Sequence, residues 1–302
     1  MLKFPRRRGQ KGVARQGDTE VLFFTCATGM YENFVIPYIY FAEIHNPHSR
    51  YEFIVENGPA FVATHERALA WLKDHMNVVP TIRDISEVPT RPHMVNAIRF
   101  VVEPIQTADY VYIGDVDIVL LENVLDHHRP VFDAGLPYSN VVRPGTSRLT
   151  GLHLAEYSKH YPLGEIDDLV RSVKGDEELL YRITERKGLL YDSERLSAVL
   201  RGRSPRPVHG IHMSLNRFPF WDRDSRPDWE LTFPYAQRAA EILEGEQFAS
   251  LLDTLHPGPR LAIANLFFIA TGVVAGGEES FRRYTQQAAG PTFSGGYPGQ
   301  GS

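Results

Sequence analysis

The chain has 302 residues, 43% of them hydrophobic, with 32 basic and 37 acidic residues and a net charge of −5. That length allows one large α/β domain or two smaller ones with a sizeable core, and the acidic balance excludes a general nucleic-acid binder. A single cysteine, Cys26, excludes an internal disulfide framework and a cysteine-rich zinc site, and fits a reducing, cytoplasmic setting.

Residues 1–16 carry six basic residues and no acid, so they hold +6 and the remainder −11. No apolar run follows them, unlike a secretory signal. Residues 1–18 therefore read as a basic flexible tail, with a weak electrostatic attraction to the inner face of an anionic membrane as a sharper reading. Val21-Leu22-Phe23-Phe24-Thr25 is the first predicted strand, and Thr28-Gly29 turns the chain. A helix follows from Glu32 to Ile44, with Phe34, Tyr38, Phe41 and Ala42 at helical spacing and Asn46-Pro47 as its stop. Tyr51–Val55 is a second strand, closed by Asn57-Gly58-Pro59; His65–Asp74 is helical and Val78–Ile82 is a third strand. This alternation predicts a mainly parallel sheet flanked by helices.

Met94–Val102 is a short helix that leads into the strand Tyr110–Gly114, and Asp115-Val116-Asp117 follows directly, between two apolar runs. Two ionised carboxylates in such a place need a compensating partner. A divalent cation supplies it, and paired hard oxygen ligands suit Mn²⁺ or Mg²⁺. Sixteen Asp in this length give roughly one Asp-x-Asp by chance, and Asp222-Arg223-Asp224 is another, in a polar stretch with no strand around it. The strand context separates the two, because ligands of such sheets bind beyond the carboxyl ends of the strands.

Loops dominate from Tyr138 to Thr150. Asp176 heads a helix as its N-cap, with Leu179, Leu180 and Ile183 on one face and Gly188 at the C′ position. Residues 201–230 are rich in Pro, Arg and Asp and hold Trp221 and Trp229, a long irregular stretch of the kind that carries function. Leu261–Gly277 has no charge, but its seventeen residues are marginal for a membrane span and are interrupted by Asn265, Thr271 and Gly272. They read as a buried helix and strand. Residues 289–302, with five Gly, two Pro and no charge, read as a second flexible tail.

The order of strand, helix, strand, Arg-bearing helix and hydrophobic strand ending in Asp-x-Asp resembles the GT-A glycosyltransferases, most of all the family 8-type nucleotide-sugar transferases. Thr25–Tyr31 is similar to the loop that contacts the nucleotide base, Asn96-Ala97-Ile98-Arg99-Phe100 to the helix whose Arg approaches the donor, and Asp115-Val116-Asp117 to the metal motif. Gly175-Asp176-Glu177-Glu178-Leu179-Leu180 resembles the acidic helix start near the reacting sugar carbon. The resemblance spans roughly residues 20–220. It departs in the first loop, where Thr28-Gly29 stands for the usual acid, and at the closing motif, replaced here by the stretch from Pro207 to Arg217.

The resemblance implies a GT-A-like catalytic domain over 19–288, with a nucleotide-sugar and metal half (19–125) and a loop-rich acceptor half (126–288). It implies a metal-dependent transfer from a nucleoside diphosphate sugar, a UDP-sugar above all, to a glycan or lipid-linked acceptor, with no nucleic-acid partner. Asp115 and Asp117 would hold Mn²⁺ or Mg²⁺, with His209 or His212 as the imidazole ligand. Thr25, Tyr31, Arg99, Asp115 and Arg217 would hold the donor, and Asp176 and Glu177 would stand at the reacting carbon. Gly151-Leu152-His153 would form the acceptor-side strand. Two readings compete: a haloacid dehalogenase-type phosphohydrolase with Asp115 as nucleophile and Asp117 as acid–base, and a non-catalytic member of the transferase fold that only binds sugar nucleotides or glycans.

Overall fold

The computed structural model describes residues 19–88, 92, 94–143, 145–201, 209–212 and 229–288. The two tails expected from the sequence therefore lie outside the described residues, as do Arg217, Trp221 and the second Asp-x-Asp at 222–224. The chain opens with β1 (Val21–Ala27), a 3-10 segment (Gly29–Phe34), α1 (Val35–His45), β2 (Arg50–Val55), α2 (Gly58–Met76) and β3 (Thr81–Asp84). A short α3 (Ile98–Val101) precedes β4 (Tyr110–Ile113), β5 (Ile118–Leu120), α4 (Val124–Asp133) and β6 (Tyr138–Ser139). Then come β7 (His153–Glu156), α5 (Tyr157–His160), α6 (Asp167–Ser172), α7 (Asp176–Arg186) and α8 (Ser193–Leu200). β8 (Gly210–His212), α9 (Trp229–Leu243), α10 (Glu246–Leu252) and α11 (Pro257–Ala288) complete it.

The main sheet has the order β3-β2-β1-β4-β7-β6. β3, β2, β1 and β4 run parallel, and β7 is antiparallel to both its neighbours. This is the mainly parallel, helix-flanked α/β architecture that the alternation of elements predicts. β1 shows why it is buried on both faces. Phe23 belongs to the cluster that packs α1, α2 and α9–α11, whereas Leu22 and Phe24 belong to the cluster under α3, α6 and α7. A strand covered twice reads as a continuous apolar run. α1 is buried nearly all round, which is why its sequence shows little amphipathic contrast.

Three local readings are corrected. Asn57-Gly58-Pro59 does not merely close β2; it opens α2. Asn57 caps that helix by accepting from the Ala60 amide at 2.9 Å, and Pro59 sits in the first turn, where its missing N–H costs nothing. β3 starts at Thr81 rather than Val78, just past Pro80, which has no amide to give the ladder. The apolar 261–277 stretch is helical and contains no strand; α11 is broken only at Gly277, whose φ is +61°.

β1 has β2 and β3 on one side and β4 on the other, so the chain reverses its direction of progress between β1 and β4. Crevices form at the carboxyl ends of strands at such a switch point, and the two strands there lead into Thr28 and Asp115.

Candidate functional site

A cavity of about 200 Å³ opens at that crevice, lined by Cys26, Thr28 and Tyr31 after β1, by Asn96 and Arg99 before and within α3, and by Asp115–Asp117 after β4. The Asp115 carbonyl accepts from the Ile118 amide at 3.3 Å. The Asp pair thus sits in a turn whose middle residue, Val116, packs into the core. The turn is held from behind. Thr25 Oγ1 donates to the Gly114 carbonyl at 2.7 Å, and Arg99 donates to the same oxygen at 2.8 Å and to Asp115 Oδ1 at 2.5 Å.

Arg99 is the hub. It is 4% exposed, lies over the Phe100 ring, and reaches Asp176 Oδ2 at 3.6 Å with its other amino group. Burial alone would lower its pKa, but the Asp115 and Asp176 carboxylates outweigh that and raise it, so the cation persists. A side chain at Gly151 would come within 3.1 Å of that amino group, so this glycine keeps the approach to Arg99 open.

β8 pairs antiparallel with β5, Ile118 opposite His212. That pairing carries His212, which is fully buried, onto Asp117: Nδ1 stands 3.3 Å from Asp117 Oδ2. One ligand atom each from Asp115, Asp117 and His212 lie within 4.8 Å of one another. Asp117 is 2% exposed, and its Oδ2 accepts no hydrogen bond among the described residues. A buried carboxylate oxygen without a donor is unfavourable by itself. With two carboxylates and an imidazole at this spacing, the residues fit one divalent cation of the Mn²⁺ or Mg²⁺ type.

Other sequence candidates fall differently. His209 is not at the Asp pair: its Nδ1 is bonded to Glu122 Oε1 at 2.7 Å and its Nε2 to His128 Nε2 at 2.8 Å. It lies three residues before His212, at the other end of a three-residue strand, and both ring nitrogens are engaged. Thr25 does not face the cavity; it is 1% exposed and its hydroxyl serves the turn, so its place beside the crevice passes to Cys26 and Thr28. Tyr31 does line the cavity. Asp176 is the first helical residue of α7 rather than its cap, which is Gly175. Its Oδ1 accepts from the Glu177 amide at 2.9 Å while Oδ2 turns to Arg99. Glu177 is fastened to Arg143 at 2.5 Å and, through its carbonyl, to the Leu149 amide. Both acids thus stand next to the site, each in the grip of an arginine.

The strand after Thr150 begins at His153, and His153 is buried against Asn140 rather than offered to a ligand. Cys26, Thr28 and Asn96, which line the cavity, were not singled out as site residues from sequence; they fell only within the Thr25–Tyr31 and Asn96–Phe100 segments that carry the resemblance. Burial pushes the Cys26 thiol up to about 12, with Arg99 opposing and Glu32 adding, so it is an inert wall of the cavity.

No protein-family model and no curated protein sequence matches the chain. Solved structures do. Glycosyltransferase GlyE of Streptococcus pneumoniae TIGR4 matches with a TM-score of 0.41 at 12% identity over 82% of this chain, and its apo form with 0.42 at 10% over 83%. The chain spans 63% of the length of GlyE in both. An active-site mutant of LgtC matches with a TM-score of 0.40 at 14% identity, over 78% of this chain and 96% of that one. At these scores the similarity is one of general course, and the site described above rests on this chain's own residues.

Proposed function

We propose that the chain is a metal-dependent glycosyltransferase that moves a sugar from a nucleoside diphosphate sugar, a UDP-sugar first of all, to a glycan or lipid-linked acceptor. One observation supports it above the others: Asp115, Asp117 and His212 converge at the carboxyl end of β4, beside an open polar cavity at the β1/β4 switch point. A divalent cation held by these three residues, Mn²⁺ or Mg²⁺, would neutralise the charge that develops on a diphosphate leaving group.

The protein's own groups have distinct tasks in this reading. Tyr31 and Thr28 offer the wall for the base. Arg99 holds Asp115 in position and leaves one amino group toward Asp176 and the open side at Gly151, where donor oxygens would find it. Asp176, kept in place by Arg99, faces the sugar; Glu177 and Arg143 together fasten the Val142–Leu149 loop to α7 and shape the acceptor side. Residues 19–125 supply the donor half and 126–288 most of the acceptor half, with Arg217, outside the described residues, as a further diphosphate contact.

The phosphohydrolase reading needs Asp115 as a free nucleophile, yet its Oδ1 is held by Arg99. A cytoplasmic enzyme touching a membrane weakly through residues 1–16 fits a lipid-linked acceptor. Among the described residues one stretch, Pro257–Ser280, is long and apolar enough to span a bilayer by length and composition, a signal that core helices also give.

The test is turnover of a panel of nucleotide sugars with and without Mn²⁺. The proposal expects release of nucleoside diphosphate, slow to water and faster with acceptor, and none without metal. Robust hydrolysis of simple phosphate monoesters would favour the phosphohydrolase, and tight binding with no release would favour the non-catalytic reading.

A further inference from the structure

β8 has three residues, and a strand that short has few ladder bonds to set its register. Register matters here, because a slip of one residue turns every side chain to the opposite face and would carry His212 away from Asp117. Three features oppose a slip. The Leu121 amide donates to the His209 carbonyl at 2.8 Å, closing the ladder at its far end. Gly210 lies so close to β5 that an added Cβ would overlap the Val119 carbonyl oxygen, so no other residue of the strand can take its place. His209 itself sits at φ +60°, a conformation that a bulky residue keeps only when its surroundings over-determine it.

Those surroundings are a buried chain of hydrogen bonds that the transfer chemistry does not use. His128 on α4 is bonded through Nδ1 to Ser139 Oγ of β6 at 2.6 Å and through Nε2 to His209 Nε2 at 2.8 Å, and His209 Nδ1 is bonded to Glu122 at 2.7 Å. His128 is 4% exposed and His209 fully buried. The direction of the protons follows from the carboxylate end. Burial alone would raise the Glu122 pKa, but the hydrogen bonds from His209 and Tyr235 outweigh it and hold it below its ordinary value, so Glu122 is an acceptor only. His209 must then donate from Nδ1, and a single proton joins its Nε2 to His128 Nε2, whose ring carries the chain on to the Ser139 hydroxyl. The chain ties β6, α4 and β8 to Glu122, two residues past the end of β5.

We infer that His128 and His209 are positioning residues: the chain Ser139–His128–His209–Glu122 locks the register of β8 on β5 and so delivers His212 to Asp117. The inference rests on the reading of His212 as a metal ligand. Groups that orient ligands in this way, without touching the metal, typically change its affinity by about 10- to 100-fold when removed.

The experiment is titration of the full chain with Mn²⁺ in the presence of uridine diphosphate, with thermal unfolding measured on the same samples. His212→Ala should weaken Mn²⁺ by more than about tenfold; if it does not, the metal reading fails, whatever the other variants do. Granted that loss, His128→Leu should weaken Mn²⁺ by about tenfold, and His209→Asn, which tolerates the left-handed backbone but lacks the imidazole, should do the same. His128→Gln, whose side-chain amide can meet His209 Nε2 with either its N–H or its oxygen, should restore affinity to within about threefold of the wild type, and Ser139→Ala, at the end of the chain, should give an intermediate loss without unfolding. Wild-type Mn²⁺ affinity in His128→Leu, His209→Asn and Ser139→Ala, with only the melting temperature lowered, would overturn the inference and leave the chain as a core polar network.

Discussion

The segment from Asp115 to Glu122 has a buried polar network at each end, and the two are built on opposite principles. At the Asp115 end two carboxylates, Asp115 and Asp176, share one guanidinium, Arg99, while Asp117 stands beside Asp115 and His212 with one carboxylate oxygen that accepts no hydrogen bond among the described residues. At the Glu122 end one carboxylate meets two imidazoles in a closed hydrogen-bonded chain, with Arg238 4.0 Å away and Tyr235 as a further donor. Both contain histidine and acid, the usual ingredients of a metal site. Among the described residues the first lines the cavity and gathers acidic groups on one side of it. A polar network completed within the protein stabilises and positions, whereas one left incomplete next to a cavity is shaped for a ligand.

The same chemical change at the two ends should therefore act in opposite senses. Asp117→Asn should weaken Mn²⁺-dependent binding of a nucleoside diphosphate by at least about a hundredfold, since loss of a ligand exceeds the effect of losing its supporting contacts. Stability without metal should hold or rise by about 1 kcal/mol, because a poorly satisfied buried charge disappears. Calorimetric titration and denaturant unfolding read the two effects separately. Equal nucleotide affinity in variant and wild type would remove Asp117 from the site.

Arg99→Met takes away the cation that Asp115 and Asp176 share. Asp115 and Asp176 are partly exposed, so the cost should fall below that of a fully buried pair, at about 2–3 kcal/mol. Part of that loss should return when Mn²⁺ is added, because a cation held by Asp115, Asp117 and His212 supplies positive charge to Asp115 from its other side. Thermal unfolding with and without Mn²⁺ checks this; a loss of stability that Mn²⁺ leaves untouched would mean that Arg99 supports only the fold.

At the other end, Glu122→Gln should lower stability by about 1–2 kcal/mol, the opposite sign to Asp117→Asn, since it weakens charge-assisted bonds from His209 and Tyr235. Denaturant unfolding decides between a loss and no change.

The smallest effect concerns acid. Burial pushes His128 well below its ordinary pKa, with His209 and His127 adding to the shift; burial likewise lowers His153 well below it, His65 to about 4 and His160 to about 3. Each of these groups binds its proton less readily folded than unfolded. The unfolded chain therefore takes up more protons as pH falls through about 6.5, and stability drops with it, by up to about 1.4 kcal/mol per pH unit per histidine. His128→Gln should reduce that slope by one histidine's share between pH 6.5 and 5, measured by denaturant unfolding at several pH values.

Much of this was legible in the chain itself. The buried strand before Asp115, the strand context that separates it from the pair at 222–224, and the Arg-bearing helix before it are local signals, and the cavity forms where they lie. Gly188 closes α7 with φ +67° as its position suggests. Asn57-Gly58-Pro59 misled because the residues that end a strand also begin a helix, and only the turn that follows distinguishes them. The roles of His209 and His212 were not separable from sequence. They are set by pairing β8 with β5, about ninety residues away, which turns two histidines three positions apart to different neighbours. Glu122 and His128 gave no signal for the same reason, since each lies in an ordinary helical or loop context and gains its role through long-range contact.

The most direct measurement is anomalous diffraction from crystals grown with Mn²⁺ and a nucleoside diphosphate, because it lets the metal choose between the two networks. One manganese peak is expected within bonding distance of the Asp117 carboxylate and the His212 imidazole, with the diphosphate beside it in the β1/β4 crevice. A peak among His128, His209 and Glu122, or bound nucleotide with no metal near Asp117, would contradict it.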